Sequence, residues 1–148
     1  MRISAKGRYA LAAVLHMAQQ YAGGECITVV SISERLGISK IYLEQVFALL
    51  KRGGLVRSVK GAQGGYQLAR APGRLSVLDV LSAVEGALFE RAADTVPEKA
   101  ADIEAAMRLS VFDALDKSVR ETLAKITLDD LLAEAEKHQE GNAMMYYI

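Results

Sequence analysis

The chain has 148 residues, 51% of them hydrophobic, with 18 Lys/Arg balanced by 18 Asp/Glu and a single cysteine. That length suits one domain, or one domain with a dimerising appendage, and a half-apolar composition argues against intrinsic disorder. The zero net charge conceals a division: residues 1–75 hold 11 Lys/Arg against 3 Asp/Glu, a net of +8, and residues 76–148 hold 7 against 15, a net of −8. A basic half facing a polyanion gives this layout, as does chance segregation of solvated charge. One cysteine excludes an internal disulfide framework. No apolar run approaches the roughly 20 residues that span a bilayer. A cytoplasmic protein without membrane contact is expected.

Met1 and Arg2 precede the apolar run Tyr9–Leu15, and Ala22-Gly23-Gly24 follows it, an outline faintly like a signal peptide. The run is short, however, and Leu11, Val14, Leu15 and Ala18 fall on one helical face. An amphipathic helix capped by Ser4 and reaching about Tyr21 is therefore expected. Lys6 and Arg8 lie in its first turn, where the helix dipole disfavours cations and a phosphate would reverse that penalty. Two solvated charges are an equal alternative for either residue alone.

Gly23-Gly24-Glu25-Cys26 is read as a loop and Ile27 to Val30 as a short strand. Ser31 with Glu34 forms a capping-box pattern for the next helix. Leu36-Gly37-Ile38-Ser39 breaks that helix and caps another, which runs to about Arg52, with Gly37 supplying a positive backbone angle. At about 100° per residue, Leu43, Val46, Phe47 and Leu50 share the core face of that second helix. Ile41, Glu44, Gln45, Ala48 and Arg52 share the other. A glutamine suits adenine there and a glutamate suits a cytosine amino group. Ile41 is unexpected on such a face, and suits either a thymine methyl or a packed neighbour.

Leu55 to Val59 alternates as a strand, and Tyr66 to Ala69 is its antiparallel return. The connector Lys60-Gly61-Ala62-Gln63-Gly64-Gly65 allows close approach of backbone N–H groups to phosphates. A nucleotide-binding loop is excluded, because a strand rather than a helix with Lys-Ser/Thr follows. After the Ala71-Pro72-Gly73 hinge, Ser76 to Val84 is a helix stopped by Gly86, and Phe89 to Pro97 reads as a linker. Pro97 suits the first turn of a long helix in which Ile103, Met107, Val111, Leu115, Val119 and Leu123 recur every four residues. A four-residue spacing drifts by about 40° per step, so the stripe wraps and a second copy of the chain is needed to bury it. Thr127 caps a last helix over Leu128–Lys137, and the chain ends apolar.

Taken together, these elements predict a mainly α fold with a small β-wing. It is a winged helix–turn–helix DNA-binding domain over residues 1–86, with dimerisation helices over 87–140 and a tail over 141–148. Two blocks carry a family resemblance: Met1 to Ala10 and Ile38-Ser39 through Tyr42-Leu43-Glu44-Gln45. So does Gly54-Leu55-Val56 with Lys60-Gly61 and Gly64-Gly65-Tyr66. They resemble the Rrf-two family of bacterial winged-helix regulators, densely over residues 1–86 and loosely beyond. The resemblance implies a homodimeric repressor of transcription on a palindromic operator. By position, Ser39, Lys40, Tyr42, Glu44 and Gln45 would touch DNA from the recognition helix. Lys60, Gly61, Gly64, Gly65 and Tyr66 would do so from the wing, and Ser4, Lys6 and Arg8 from the first helix. The family usually has arginine at Lys60; lysine keeps the charge and loses the planar fork.

Iron–sulfur members of the family carry three cysteines after the helix that follows the wing, and Gly86–Glu104 has none. Cys26 alone cannot supply the roughly four ligands of a cluster, so no cofactor is expected. The resemblance therefore runs to the cluster-free type that governs cysteine metabolism. The ending Met144-Met145-Tyr146-Tyr147-Ile148 resembles that type's C-terminus. This implies a complex with cysteine synthase through Tyr146, Tyr147 and Ile148; a free carboxylate on an apolar residue is readily held by backbone N–H groups. Packing of the tail on its own dimer is the competing reading. Cys26 is either a small hydrophobe or a thiol redox switch. A winged-helix protein-interaction module that does not bind DNA is the runner-up function. An enzyme is disfavoured, because His16 and His138 lie far apart and no catalytic spacing surrounds Cys26.

Overall fold

The computed structural model describes residues 2–24, 26–61 and 64–146, with backbone alone at 23, 140 and 142–146. The first helix, α1, spans Ala5–Gln19, and its cap is Ser4, whose side chain accepts from the Gly7 N–H at 3.2 Å. Ala10, Ala13, Val14 and Met17 give it a buried stripe of mostly small residues, so neighbouring helices approach closely. It ends at Gln19 and passes into a 3₁₀ turn over Tyr21–Gly23, closed by Gly24 at φ 62°.

The strand expected over Ile27–Val30 is reduced to one bridge. Ile27 and Tyr66 exchange both backbone hydrogen bonds, at 3.0 and 2.9 Å, and the next helix, α2, already spans Val29–Leu36. Its cap is Thr28 rather than Ser31: the Thr28 hydroxyl accepts from Ser31 N–H at 3.1 Å. The Ser31 hydroxyl instead donates to the Thr28 carbonyl at 2.9 Å. Thr28 is an equally competent cap. Starting there adds almost a turn of helix and places Ile32 at full burial. The Ser31–Glu34 capping box does not form.

Gly37 at φ 70° makes the sharp turn, and Ser39 caps α3 over Lys40–Arg52 by accepting from Tyr42 N–H at 3.2 Å. Leu43, Val46, Phe47 and Leu50 are buried, as their spacing predicts. Strands β1 (Val56–Val59) and β2 (Gly65–Leu68) pair antiparallel, from Val56↔Leu68 to Val59↔Gly65. Helix α4 covers Val77–Val84, with a complete Ser76–Asp79 capping box.

A 3₁₀ turn over Ala87–Phe89 opens the predicted linker, which the structure pins down. Glu104, 7% exposed, accepts from the N–H groups of Thr95 and Val96, and Arg108 reaches the Ala92 carbonyl at 3.0 Å and Asp94 at 2.8 Å. These bonds fold the segment back on the following helix instead of letting it continue as helix. The long helix therefore begins at Ala101 and not at Pro97. It consists of α5 (Ala101–Met107), a π-helical turn (Arg108–Phe112) and α6 (Asp113–Lys125).

The last helix, α7, spans Leu128–Tyr146, well past the predicted Lys137. Its start is fixed by Thr127 and Asp130, which bond each other's backbone N–H at 2.9 and 3.1 Å. No breaker intervenes beyond Gly141, whose cost of about 1 kcal/mol one helix of this length absorbs. Leu128 is 0% exposed and belongs to the core that α1, α2, α3, the wing and α4 share. Among the described residues, no helix is long and apolar enough to cross a membrane.

Candidate nucleic-acid interface

The core face of α3 dictates what its opposite face presents. Since Leu43, Val46, Phe47 and Leu50 point inward, Ile41, Glu44, Gln45, Ala48 and Arg52 stand in solvent. Among the described residues Glu44 and Gln45 carry no side-chain hydrogen bond and Glu44 no ion pair, so their acceptors and donors are available. Lys40 is exposed in the first turn. Ser39 is exposed as well, but its hydroxyl is engaged in capping the helix. Tyr42 is half-buried, with its ring edge-on to Tyr9 at 5.1 Å and 86°. That contact sets the second turn of α1 beside the first turn of α3.

At the start of α1, Ser4 is exposed, but its polar groups are engaged by the protein itself. Its N–H donates to Glu85 Oε1 at 3.0 Å, and its hydroxyl bonds the same oxygen. Glu85, 8% exposed, thus places a carboxylate where the helix dipole favours an anion. No sequence signal pointed to it. Arg8 is exposed and donates to the Ile3 carbonyl at 3.0 Å, and Lys6 is half-buried.

The wing meets α3 through Tyr66, whose ring stacks on Phe47 at 4.6 Å and 27°. Tyr66 is a hinge pin between wing and core as much as a surface residue. Gly65 has a structural cause: a Cβ there would lie 2.7 Å from the Ile27 carbonyl oxygen. Gly61 and Gly64 meet no such obstacle, the Gly64 N–H donates to the Gly61 carbonyl at 3.1 Å, and Lys60 is exposed beside them. Arg57 stands exposed on β1, a further cation that the sequence reading did not single out.

Charge pairing separates the halves again. Among the described residues, Arg70 is the one Lys/Arg before residue 76 within ion-pair range of a carboxylate, at 3.9 Å from Asp79. In the acidic half, Arg108, Lys117, Arg120 and Lys137 are all paired. Among the described residues, the cations on α3 and the wing meet no carboxylate within ion-pair range. Cys26 is half-buried next to the Ile27–Tyr66 bridge. Tyr147 and Ile148 lie outside the described residues, and Tyr146 is described as backbone alone.

The Rrf2 family model, described as "Iron-dependent Transcriptional regulator", matches residues 3–134. The regulator IscR of Xenorhabdus nematophila is 49% identical over 85 residues, which cover 57% of this chain and 51% of IscR. The chain thus spans about half the length of that relative. The regulator CymR of Bacillus subtilis is 32% identical over 148 residues and matches along the whole of both chains. The solved structure of B. subtilis CymR, the global cysteine regulator, superposes with a TM-score of 0.72 at 31% identity, covering 90% of this chain and 98% of that one.

The family's iron dependence can be tested against the donors present. The sequence holds one cysteine, and among the described residues no three His, Cys, Asp or Glu side chains are grouped to hold a metal ion. The carboxylate of Glu104 is taken up by backbone N–H groups and Arg108. These donors do not fit an iron–sulfur cluster. Family model, full-length relative and fold agree nonetheless: the chain belongs to the Rrf2 family of winged-helix transcriptional regulators.

Proposed function

We propose that the protein is a homodimeric, sequence-specific DNA-binding repressor of cysteine or sulfur metabolism genes, controlled by a protein partner rather than by a cluster. The observation that carries DNA reading is the open Ile41–Arg52 face of α3 beside Lys40, Arg57 and Lys60, cations with no ion pair among the described residues. In a helix–turn–helix this helix enters the major groove and the wing flanks it. Residues 1–86 would read DNA and 87–140 would pair two subunits. The exposed Ile103, Leu109, Val111 and Leu115 on the long helix support pairing, because a twofold contact would cover them. Two reading heads then call for a palindromic operator.

The cysteine-metabolism role is supported by the full-length match to CymR, whose structure is that of a global cysteine regulator. Partner control through Tyr146, Tyr147 and Ile148 rests on the apolar run Met144-Met145-Tyr146-Tyr147-Ile148 and on the match to CymR along the whole of both chains. Calorimetry with cysteine synthase tests it, since equal binding by the full chain and by a chain lacking Ile148 removes the tail from the mechanism.

For DNA reading, the test is a gel-shift salt titration. Six to ten phosphate contacts predict a log–log slope of roughly −5 to −9, with preference for a palindrome. A flat salt dependence refutes it. Alanine at Gln45 and Lys60 separates this function from a protein-interaction module, because in such a module neither changes DNA affinity. A redox role for Cys26 is the second reading, favoured by the half-buried position of this free cysteine beside the bridge that seats the wing. Oxidant-dependent loss of DNA binding that persists in Cys26→Ser removes it.

A further inference from the structure

Ile41 is 73% exposed, more than any other large hydrophobic side chain among the described residues. It sits on the second residue of α3, immediately after the Ser39 cap and Lys40. With Glu44, Gln45 and Ala48 it forms a stripe at i, i+3, i+4 and i+7, and every member of the stripe is exposed. The sequence left two uses for this side chain, a packed neighbour or a base. The exposure removes the first. A lone exposed isoleucine is ordinary on a protein surface and is far too small for a protein-docking patch. What sets this one apart is its place, in the N-terminal turn of the helix whose first residues reach base edges in a helix–turn–helix.

The major groove offers one apolar feature, the 5-methyl group of thymine. We propose that Ile41 is a specificity residue that reads a thymine methyl in each half-site. The inference rests on the DNA-reading function proposed above. Glu44 and Gln45 lie one turn further along the same stripe. Neighbouring side chains at that spacing are about 5–6 Å apart, and base pairs stack about 3.4 Å apart. The thymine therefore lies one or two base steps from the pair that Glu44 or Gln45 addresses. Ala48, the small member of the stripe, allows the helix to sit deep enough for Ile41 to touch the methyl.

Deoxyuridine differs from thymidine by that methyl alone, so it isolates the contact. The experiment takes the full-length protein and the duplex it selects from a random pool, and replaces each thymine in turn by deoxyuridine. One replaced position per half-site is expected to weaken binding about fourfold, the factor one buried methyl group is worth. Ile41→Ala should bind the thymine and deoxyuridine duplexes equally, while Ile41→Val keeps part of the difference. Because the side chain is exposed, both variants should melt with the wild type. If no position responds to deoxyuridine, or if the response survives in Ile41→Ala, the inference is overturned while DNA reading stands. If no duplex is enriched at all, DNA reading fails and the inference falls with it.

Discussion

Gly7 and Glu85 are 78 positions apart in the sequence and form one contact. A Cβ on Gly7 would stand 2.4 Å from Glu85 Oε1 and 2.8 Å from Ile3 Cγ2, so even alanine forces the buried carboxylate away from Ser4. Alanine normally stabilises a helix interior relative to glycine. Here the expected sign is the opposite. Gly7→Ala should cost about 1–3 kcal/mol, the range for overpacking, read as a lower urea midpoint at unchanged slope. A stabilised variant would mean that Glu85 is free to move. The capping role of Ser4 was legible from its residue type and position. The carboxylate behind it was not, because nothing in a local pattern announces a partner contributed from the end of α4.

At the scale of elements, the wing and the long helix each depend on one local irregularity. Gly65 lets β2 pass against the Ile27 carbonyl, and Gly65→Ala must displace backbone rather than a flexible side chain. We expect faster amide exchange at Ile27 and Tyr66, weaker DNA binding, and little change in the α3 core; unchanged exchange at both amides would refute this. In the long helix the four-residue apolar spacing drifts by about 40° per step, or about 200° from Ile103 to Leu123. The π turn at Arg108–Phe112 accommodates one extra residue and sets the phase back by about 100°. The stripe is thereby kept near the width of a single apolar face. Deleting exposed Ser110 should then leave α6 in register and preserve the oligomer, whereas deleting exposed Ser118 rotates Val119 and Leu123 by about 100°. Sedimentation of the two variants checks this, and equal behaviour would contradict it. The stripe and its drift were visible in the sequence, but the compensating π turn was not, since it rests on backbone bonding that no side-chain period encodes. The helix–turn–helix was legible because Gly37, Ser39 and the α3 core face are local signals. The start of α2 was misread because two competent caps, Thr28 and Ser31, lie three residues apart, and the wing contact of Ile27 decided between them.

Across the whole molecule, charge and pairing divide at the same place. Among the described residues, Arg70 alone of the 11 Lys/Arg in the basic half is ion-paired, while Arg108, Lys117, Arg120 and Lys137, four of the 7 in the acidic half, meet carboxylates three or four residues away or across a loop. Exposed pairs of that kind contribute little stability, on the order of 0–1 kcal/mol, so their effect is chiefly to offset those cations locally and leave the excess of carboxylates on that half. In the proposed complex the field facing DNA would arise from α1, α3 and the wing, and each cation that meets a phosphate should add about 0.9 to the steepness of the salt dependence. Lys60→Ala removes one such contact per chain. If one chain engaged DNA, the slope would fall by about 0.9; a dimer with both wings in contact loses about 1.8. We expect the larger change, uniform across operator variants, because lysine lacks the fork that reads guanine. Lys117→Ala, on the acidic side, should leave the slope where it is. Lys60→Arg keeps the charge and adds the fork, so it should hold the wild-type slope while sharpening preference for a guanine under the wing. A change of only about 0.9 for Lys60→Ala would place a single wing on the duplex and overturn the symmetric arrangement.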